Sequence, residues 1–203
     1  RELDLLYQRT EGWITALHLA ALALARHPDR KAFIDGLSGA ERDIADYLAA
    51  EVVRRQTPEV QQFLLHSSIL DRLNAELCNA LLGRDDAQPM IERIETLGLF
   101  LFPLDARRQW YRYLFRDFLR TQLKREHPAA LAGLYRNASD WFAQAGLQEE
   151  AVNMALDGGD FEQAAILVEQ FATSMIRLGH VPQVARWIQR FPAQVLDQNP
   201  RLP

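Results

Sequence analysis

The sequence predicts a mainly α-helical chain that contains one β-hairpin. Apolar residues recur at helical spacing along most of the 203 residues, and capping residues or glycines divide this pattern into segments. The stretch 98–113 differs, because two short runs of large apolar and aromatic residues, 99–104 and 110–113, flank polar residues typical of turns. Pro103, near the end of the first run, favours an edge strand because proline cannot donate to a central ladder.

Composition limits the classes of function. The chain has 23 basic and 27 acidic residues and a net charge of −4, which does not indicate a nucleic-acid binder as a whole. The single cysteine, Cys78, excludes a disulfide framework and a multi-cysteine metal site. The lack of a disulfide framework favours a cytoplasmic protein. The longest apolar run, 13–25, is too short to span a membrane, so no membrane partner is expected. Because Arg1 replaces an initiator methionine and Pro203 follows a turn-like sequence, we expect a fragment of a longer protein.

Residues 1–57 are predicted to form a small helical domain. A helix of about residues 11–26 is apolar on nearly every side, which indicates burial among other helices. Ser38 and Glu41 have the spacing of a capping box and begin a second helix that extends to about residue 56.

Residues 58–126 have the element order of a winged helix: three helices, the hairpin and a fourth helix. Thr57-Pro58 begins the first helix, Asn74 caps the second, and Asp85 or Asp86 is expected to cap the third. After the hairpin, apolar residues share one helical face. They are Phe115, Phe118, Leu119 and Leu123.

Residues 127–203 are predicted to be helices joined by short loops. The pair Ala145-Gly146 recurs as Leu178-Gly179 at a spacing of 33, close to the size of a tetratricopeptide repeat. This segment is therefore predicted to be the start of an α-helical superhelix, in which Glu149 and Glu150 are ordinary capping acids.

Five pieces of the sequence resemble a known family in their order and spacing. They are Glu11-Gly12-Trp13 before an Ala/Leu-rich helix, the run 67–73 (SSILDRL), the run 75–83 (AELCNALLG), the run 99–105 (LFLFPLD) and the run 110–113 (WYRY). The chain resembles the middle of the MalT-type regulators, the large ATP-binding members of the LuxR family within the STAND class of signal-transduction ATPases. The resemblance implies a parent with an ATPase core, a helical domain, a winged helix, a superhelical sensor arm and a C-terminal helix-turn-helix. This chain would supply the second, third and part of the fourth of these.

The resemblance also implies residues near a nucleotide. Gly12 and Trp13 belong to its adenine-proximal motif, although Ile14 occupies the place where the class usually has a proline. The histidine that commonly follows the WYRY sequence and contacts ADP is missing here. We therefore hypothesise that Arg112 or Arg116 contacts a phosphate. The chain has no phosphate-binding loop, so no cofactor is expected in it, and ATP or ADP with magnesium would be held by the ATPase core of the parent.

The isolated reactive side chains have simpler explanations than catalysis. His18 and Cys78 are predicted to be core residues, while His66, His127 and His180 are isolated in sequence and have no metal-ligand spacing. Seven basic residues in and near the hairpin could form a surface that contacts phosphates. We favour the simpler interpretation that they form a solvated face or pair with acids of a neighbouring domain. They are Arg107, Arg108, Arg112, Arg116, Arg120, Lys124 and Arg125. The third winged-helix helix carries mostly acids, which argues against its reading DNA.

Three functions remain open from the sequence. The first is a central regulatory module of an ATP-dependent transcriptional activator, with a small-molecule or protein inducer on the arm, DNA on an absent domain, and self-association on activation. The second is a free-standing winged-helix DNA-binding protein. The third is a helical-repeat scaffold for protein partners. An enzyme in its own right is not expected, although the parent would be a slow ATPase.

Overall fold

The computed structural model describes residues 49–99, 101–104, 110–113 and 116–199. The predicted sites Gly12 and Trp13, and the predicted helices before residue 49, lie outside the described residues. Residues 49–54 are helical, and the Gln61 amide donates to the carbonyls of Arg54 and Gln56 at 3.1 and 2.8 Å. This short segment is thus tied to the helix that follows it.

The first three helices are α1 (Pro58–Ser67), α2 (Ala75–Leu82) and α3 (Ala87–Thr96). Asn74 caps α2 as predicted, because its side-chain oxygen accepts from the Leu77 N–H at 2.8 Å. Gly83 then ends α2 with a left-handed backbone, φ 62°.

The cap of α3 is not the one that was predicted. Asp86 precedes the helix but makes no side-chain capping bond, and instead pairs with Arg84. The Ala87 N–H donates to the side-chain oxygen of Asn79 at 2.9 Å. A residue of α2 therefore caps α3 and fixes the turn between the two helices.

The hairpin consists of β1 (Leu101–Pro103) and β2 (Tyr111–Tyr113), which pair antiparallel. On the other side of β2, the N–H and C=O of Tyr111 exchange bonds with those of Leu73, both at 2.9 Å. β2 is therefore central and β1 lies at the edge, which confirms the prediction from Pro103. The pairing of Leu73 adds β structure that was not predicted.

Helix α4 (Arg116–Glu126) packs against α1 and buries Phe118, Leu119 and Leu123, which the spacing placed on one face. Phe115, the fourth residue of that predicted face, lies outside the described residues. A short 3-10 turn, Pro128–Ala130, leads from the winged helix into the second half of the chain.

The second half, called the arm from here on, is a series of antiparallel helices. Gly146 and Gly179, the glycines of the predicted repeat, have φ of 74° and 86° and end α5 and α7 in the same way. The tetratricopeptide character of the arm stays a prediction, and the last helix was not predicted. The helices are α5 (Leu131–Gln144), α6 (Gln148–Asp157), α7 (Phe161–Arg177), α8 (Val181–Ile188) and α9 (Ala193–Gln198).

One continuous apolar core runs through the winged helix and the arm. Its buried residues extend from Ala49 to Phe191, and α2 packs directly on α5. The described part of the chain is thus mainly helical, as predicted, with its small sheet at one side. None of the described helices combines the length and the apolar character needed to cross a bilayer.

Candidate functional site

The segment between α1 and α2 brings the winged helix and the arm together. The hydroxyls of Ser67 and Ser68 donate to carbonyls of α1, those of Phe63 and Leu65, and end that helix. Apolar side chains of the segment are buried, namely Ile69, Leu70 and Leu73. Because these face the core, Asp71 and Arg72 between them are exposed.

Asp71 and Arg72 form ion pairs with different partners. The Asp71 carboxylate pairs with the guanidinium of Arg116, at the start of α4. Arg72 donates to the Glu150 carboxylate of the arm at 2.8 Å, and its guanidinium carbon lies 4.8 Å from the centroid of the Trp110 ring. Glu150 is therefore an interdomain ion-pair partner and not merely the capping acid that was predicted.

Arg120, one turn after Arg116, makes two polar contacts between α4 and the arm. It donates to the Tyr135 hydroxyl at 2.6 Å and lies 3.6 Å from the Asp157 carboxylate. Burial raises the pKa of the Tyr135 phenol, while the charge of Arg120 opposes this shift. Arg116 and Arg120 therefore both lie beside carboxylates, which confirms for these two residues the prediction that the basic face is paired with acids.

A second face of the junction is a groove of about 590 Å³ between α1, α2 and α5. The Asn137 amide of α5 crosses its floor and donates to the Leu81 carbonyl at 3.0 Å. At its edge, the rings of His66 and His127 lie 5.4 Å apart in a T-shaped arrangement. The sequence analysis described these two histidines as isolated, but the fold brings their rings into contact. Burial, and secondly the neighbouring His127, lower the pKa of His66.

The third helix offers acids where a winged-helix DNA reader would need cations. Glu92, on the exposed side of α3, accepts from Gln88 at 2.7 Å, and Asp86, just before α3, holds Arg84. A negatively charged helix face repels phosphates, so this geometry does not favour α3 as a DNA-reading helix.

A further reactive group, the thiol of Cys78, is engaged in packing. Cys78 is fully buried on α2, and burial raises the pKa of its thiol to about 12. Among the described residues, no group of three His, Cys, Asp or Glu side chains is placed to hold a metal ion.

Of the predicted nucleotide-proximal residues, the structure describes Arg112 and Arg116, which lie in two different elements. Arg112 lies in β2, opposite Phe102 of β1. Arg116 lies on α4 and is engaged with Asp71, with Asp117 also 3.4 Å away. Sequence reasoning missed Asp71, Arg72, Tyr135 and Asp157 as junction residues, because their partners are distant in sequence and leave no spacing signal.

Comparison with known proteins agrees with this geometry. Residues 49–131 match the family model described as the MalT winged helix domain. The chain is 36% identical over 195 residues to the serine/threonine-protein kinase PknK of Mycobacterium tuberculosis, covering 95% of the chain and 18% of that protein. It is 31% identical over 204 residues to the HTH-type transcriptional regulator MalT of Yersinia pestis, covering 97% of the chain and 22% of that protein. The chain thus spans about a fifth of the length of these relatives.

The described residues thus form a winged helix that packs on a helical arm through one shared apolar core. Over residues 49–131 the chain is similar to the MalT winged helix domain, and its resemblance to MalT-type regulators extends over nearly the whole chain.

Proposed function

We propose that this chain is the central regulatory segment of an ATP-dependent, inducer-responsive transcriptional activator of the bacterial cytoplasm. It would couple the nucleotide state of an ATPase core to a sensor arm and a DNA-binding domain. The observation that carries the proposal is the shared core and ion-pair junction between winged helix and arm, in a chain similar to the regulator MalT. A winged helix fixed to an arm in this way must move with it.

In this mechanism the winged helix and the helical domain hold the ATPase core while ADP is bound. Inducer binding to the arm then biases an existing equilibrium towards an open, ATP-bound and self-associating state. Coupling of this kind is reciprocal, so the inducer must also lower the apparent affinity of the whole protein for ADP. We propose no catalytic activity for this segment itself.

The nucleotide contacts remain part of the proposal. Gly12 and Trp13 would lie near the adenine, and Arg112 or Arg116 would face a phosphate. Since Arg116 is paired with Asp71, a phosphate contact from Arg116 would have to share or replace that carboxylate. An Arg112→Ala full-length protein that kept the wild-type affinity for ADP would count against Arg112.

The first experiment is to sequence the reading frame on both sides of the segment. A phosphate-binding loop upstream and a helix-turn-helix of the LuxR type downstream would support the activator. A start codon near Arg1 with a stop codon near Pro203 would overturn it and leave a scaffold for protein partners.

A second candidate function follows from the 36% identity to a protein named as a serine/threonine-protein kinase. The same module would then serve as the regulatory segment of a kinase, and an upstream kinase domain would distinguish this case. The third possibility, a free-standing DNA-binding protein, is disfavoured by the acids on α3, and a gel-shift assay with duplex DNA would test it directly.

A further inference from the structure

Asp157 lies between two arginines that belong to different parts of the molecule. One carboxylate oxygen accepts from Arg190, in the turn after α8, at 2.5 Å. The other oxygen lies 3.6 Å from Arg120 on α4 of the winged helix. All three side chains are about a quarter to two-fifths exposed, so water weakens these contacts without removing them.

Asp157 lies at a helix end where a carboxylate is unfavourable unless cations are close to it. It is the last residue of α6, where the carbonyl end of the helix dipole disfavours a negative charge. A neutral or basic residue would serve the helix better. Two guanidinium groups offset the unfavourable placement, which indicates that the carboxylate is retained for its contacts and not for the helix.

Each arginine connects Asp157 to a buried anchor. Arg120 donates to the hydroxyl of Tyr135, whose side chain is buried, while the Nε of Arg120 is buried and has no hydrogen-bond partner among the described residues. Arg190 also donates to Asn153 at 3.3 Å, and the same amide oxygen accepts from the fully buried Trp187 of α8 at 3.2 Å. A polar path therefore runs from α8 of the arm to α4 of the winged helix.

We propose that Arg120 and Arg190 compete for Asp157, so that the position of α8 sets how firmly the arm holds α4. Asp157 now sits closer to Arg190. When α8 moves and withdraws Arg190, the carboxylate turns to Arg120, whose buried N–H lacks a partner, and the junction tightens. The use of this device in signalling rests on the proposed function, but the competition itself depends only on the junction geometry.

Hydrogen exchange of the α4 peptide, residues 116–126, measures how firmly the junction holds. The variant Arg190→Gln removes the closer competitor, and we expect the protection of this peptide to rise about two- to fivefold, the range for one part-exposed ion pair. In an Asp157→Asn background the same substitution should leave the protection of α4 unchanged.

Arg186→Gln is the matched control, because it removes an equal charge from α8, where Arg186 donates to Gln183 and not to Asp157. Lower or unchanged protection of α4 in Arg190→Gln would overturn the competition. An equal rise in Arg186→Gln, or a rise that persists in the Asp157→Asn background, would also overturn it, since a general charge effect would then explain the result. Absence of nucleotide binding in the longer protein would instead sink the proposed function and leave the exchange result standing.

Discussion

Gly158 provides a sharp test of the packing between α5 and α6. It follows the last residue of α6 with an ordinary helical backbone, φ −77° and ψ −10°, so alanine meets no backbone strain there. Alanine at such a position usually stabilises a protein by about 0.4–1 kcal/mol. A Cβ at Gly158, however, would lie 2.5 Å from the Cβ and 3.1 Å from the Cγ of Tyr135, which is only 3% exposed.

Overpacking of this kind costs about 1–3 kcal/mol, which exceeds the gain in the unfolded chain. We therefore expect Gly158→Ala to lower the free energy of unfolding by about 1–2 kcal/mol. Gly133 on α5 is the matched control, because a Cβ there meets nothing within 4 Å, and alanine should stabilise the chain by about 0.5 kcal/mol.

Urea denaturation of the two variants beside the wild type measures both effects. The opposite signs are the diagnostic result, because helix propensity alone predicts a gain at both positions. If Gly158→Ala were stabilised as much as Gly133→Ala, the close approach of α6 to Tyr135 would be wrong.

Three further predictions follow from local chemistry. Asn74→Ala should lower the free energy of unfolding by about 1 kcal/mol, because the Leu77 N–H loses its cap, as urea denaturation will show. The Cys78 thiol, with its pKa raised to about 12, should react with Ellman's reagent at pH 8 only as fast as the chain opens. Because the pKa of His66 is lowered in the folded chain, the unfolded chain binds more protons, and stability should fall as the pH drops below about 6.5.

Each of these predictions has its own control. Thr57 makes no side-chain capping bond, so Thr57→Ala should change stability by less than about 0.5 kcal/mol. Rapid labelling of Cys78 in the folded chain would contradict its burial on α2. His66→Gln should flatten the dependence of stability on pH between about 5 and 7, and an unchanged dependence would assign it to another group.

Local signals predicted most of the fold. The boundaries of α2 depend on Asn74 and Gly83, which act on the helix beside them. The hairpin was visible because two aromatic runs flank a polar turn, and the edge position of β1 followed from Pro103. Helix α4 could also be predicted from a local signal, because its buried residues recur at helical spacing within eleven residues.

Long-range contacts escaped the sequence analysis. Glu150 and Arg72 are 78 positions apart, and nothing in the spacing of either residue indicates that they meet. His66 and His127 come together only because the chain enters the arm beside α1. The cap of α3 was misassigned because Asp86 directly precedes the helix in sequence. The fold instead brings the side-chain oxygen of Asn79 to the Ala87 N–H at the start of α3. The candidate site consists of such contacts, so it could not be read from periodicity or capping.

We propose that movement of the arm passes through its junction with the winged helix to a nucleotide site. Calorimetric titration of ADP into the full-length protein tests this claim most directly, with Arg72→Gln to break the contact to Glu150 and Arg186→Gln as the control. We expect Arg72→Gln to change the affinity for ADP by about two- to fivefold and Arg186→Gln to leave it unchanged. Equal affinities in all three proteins would contradict the proposed transmission through the junction.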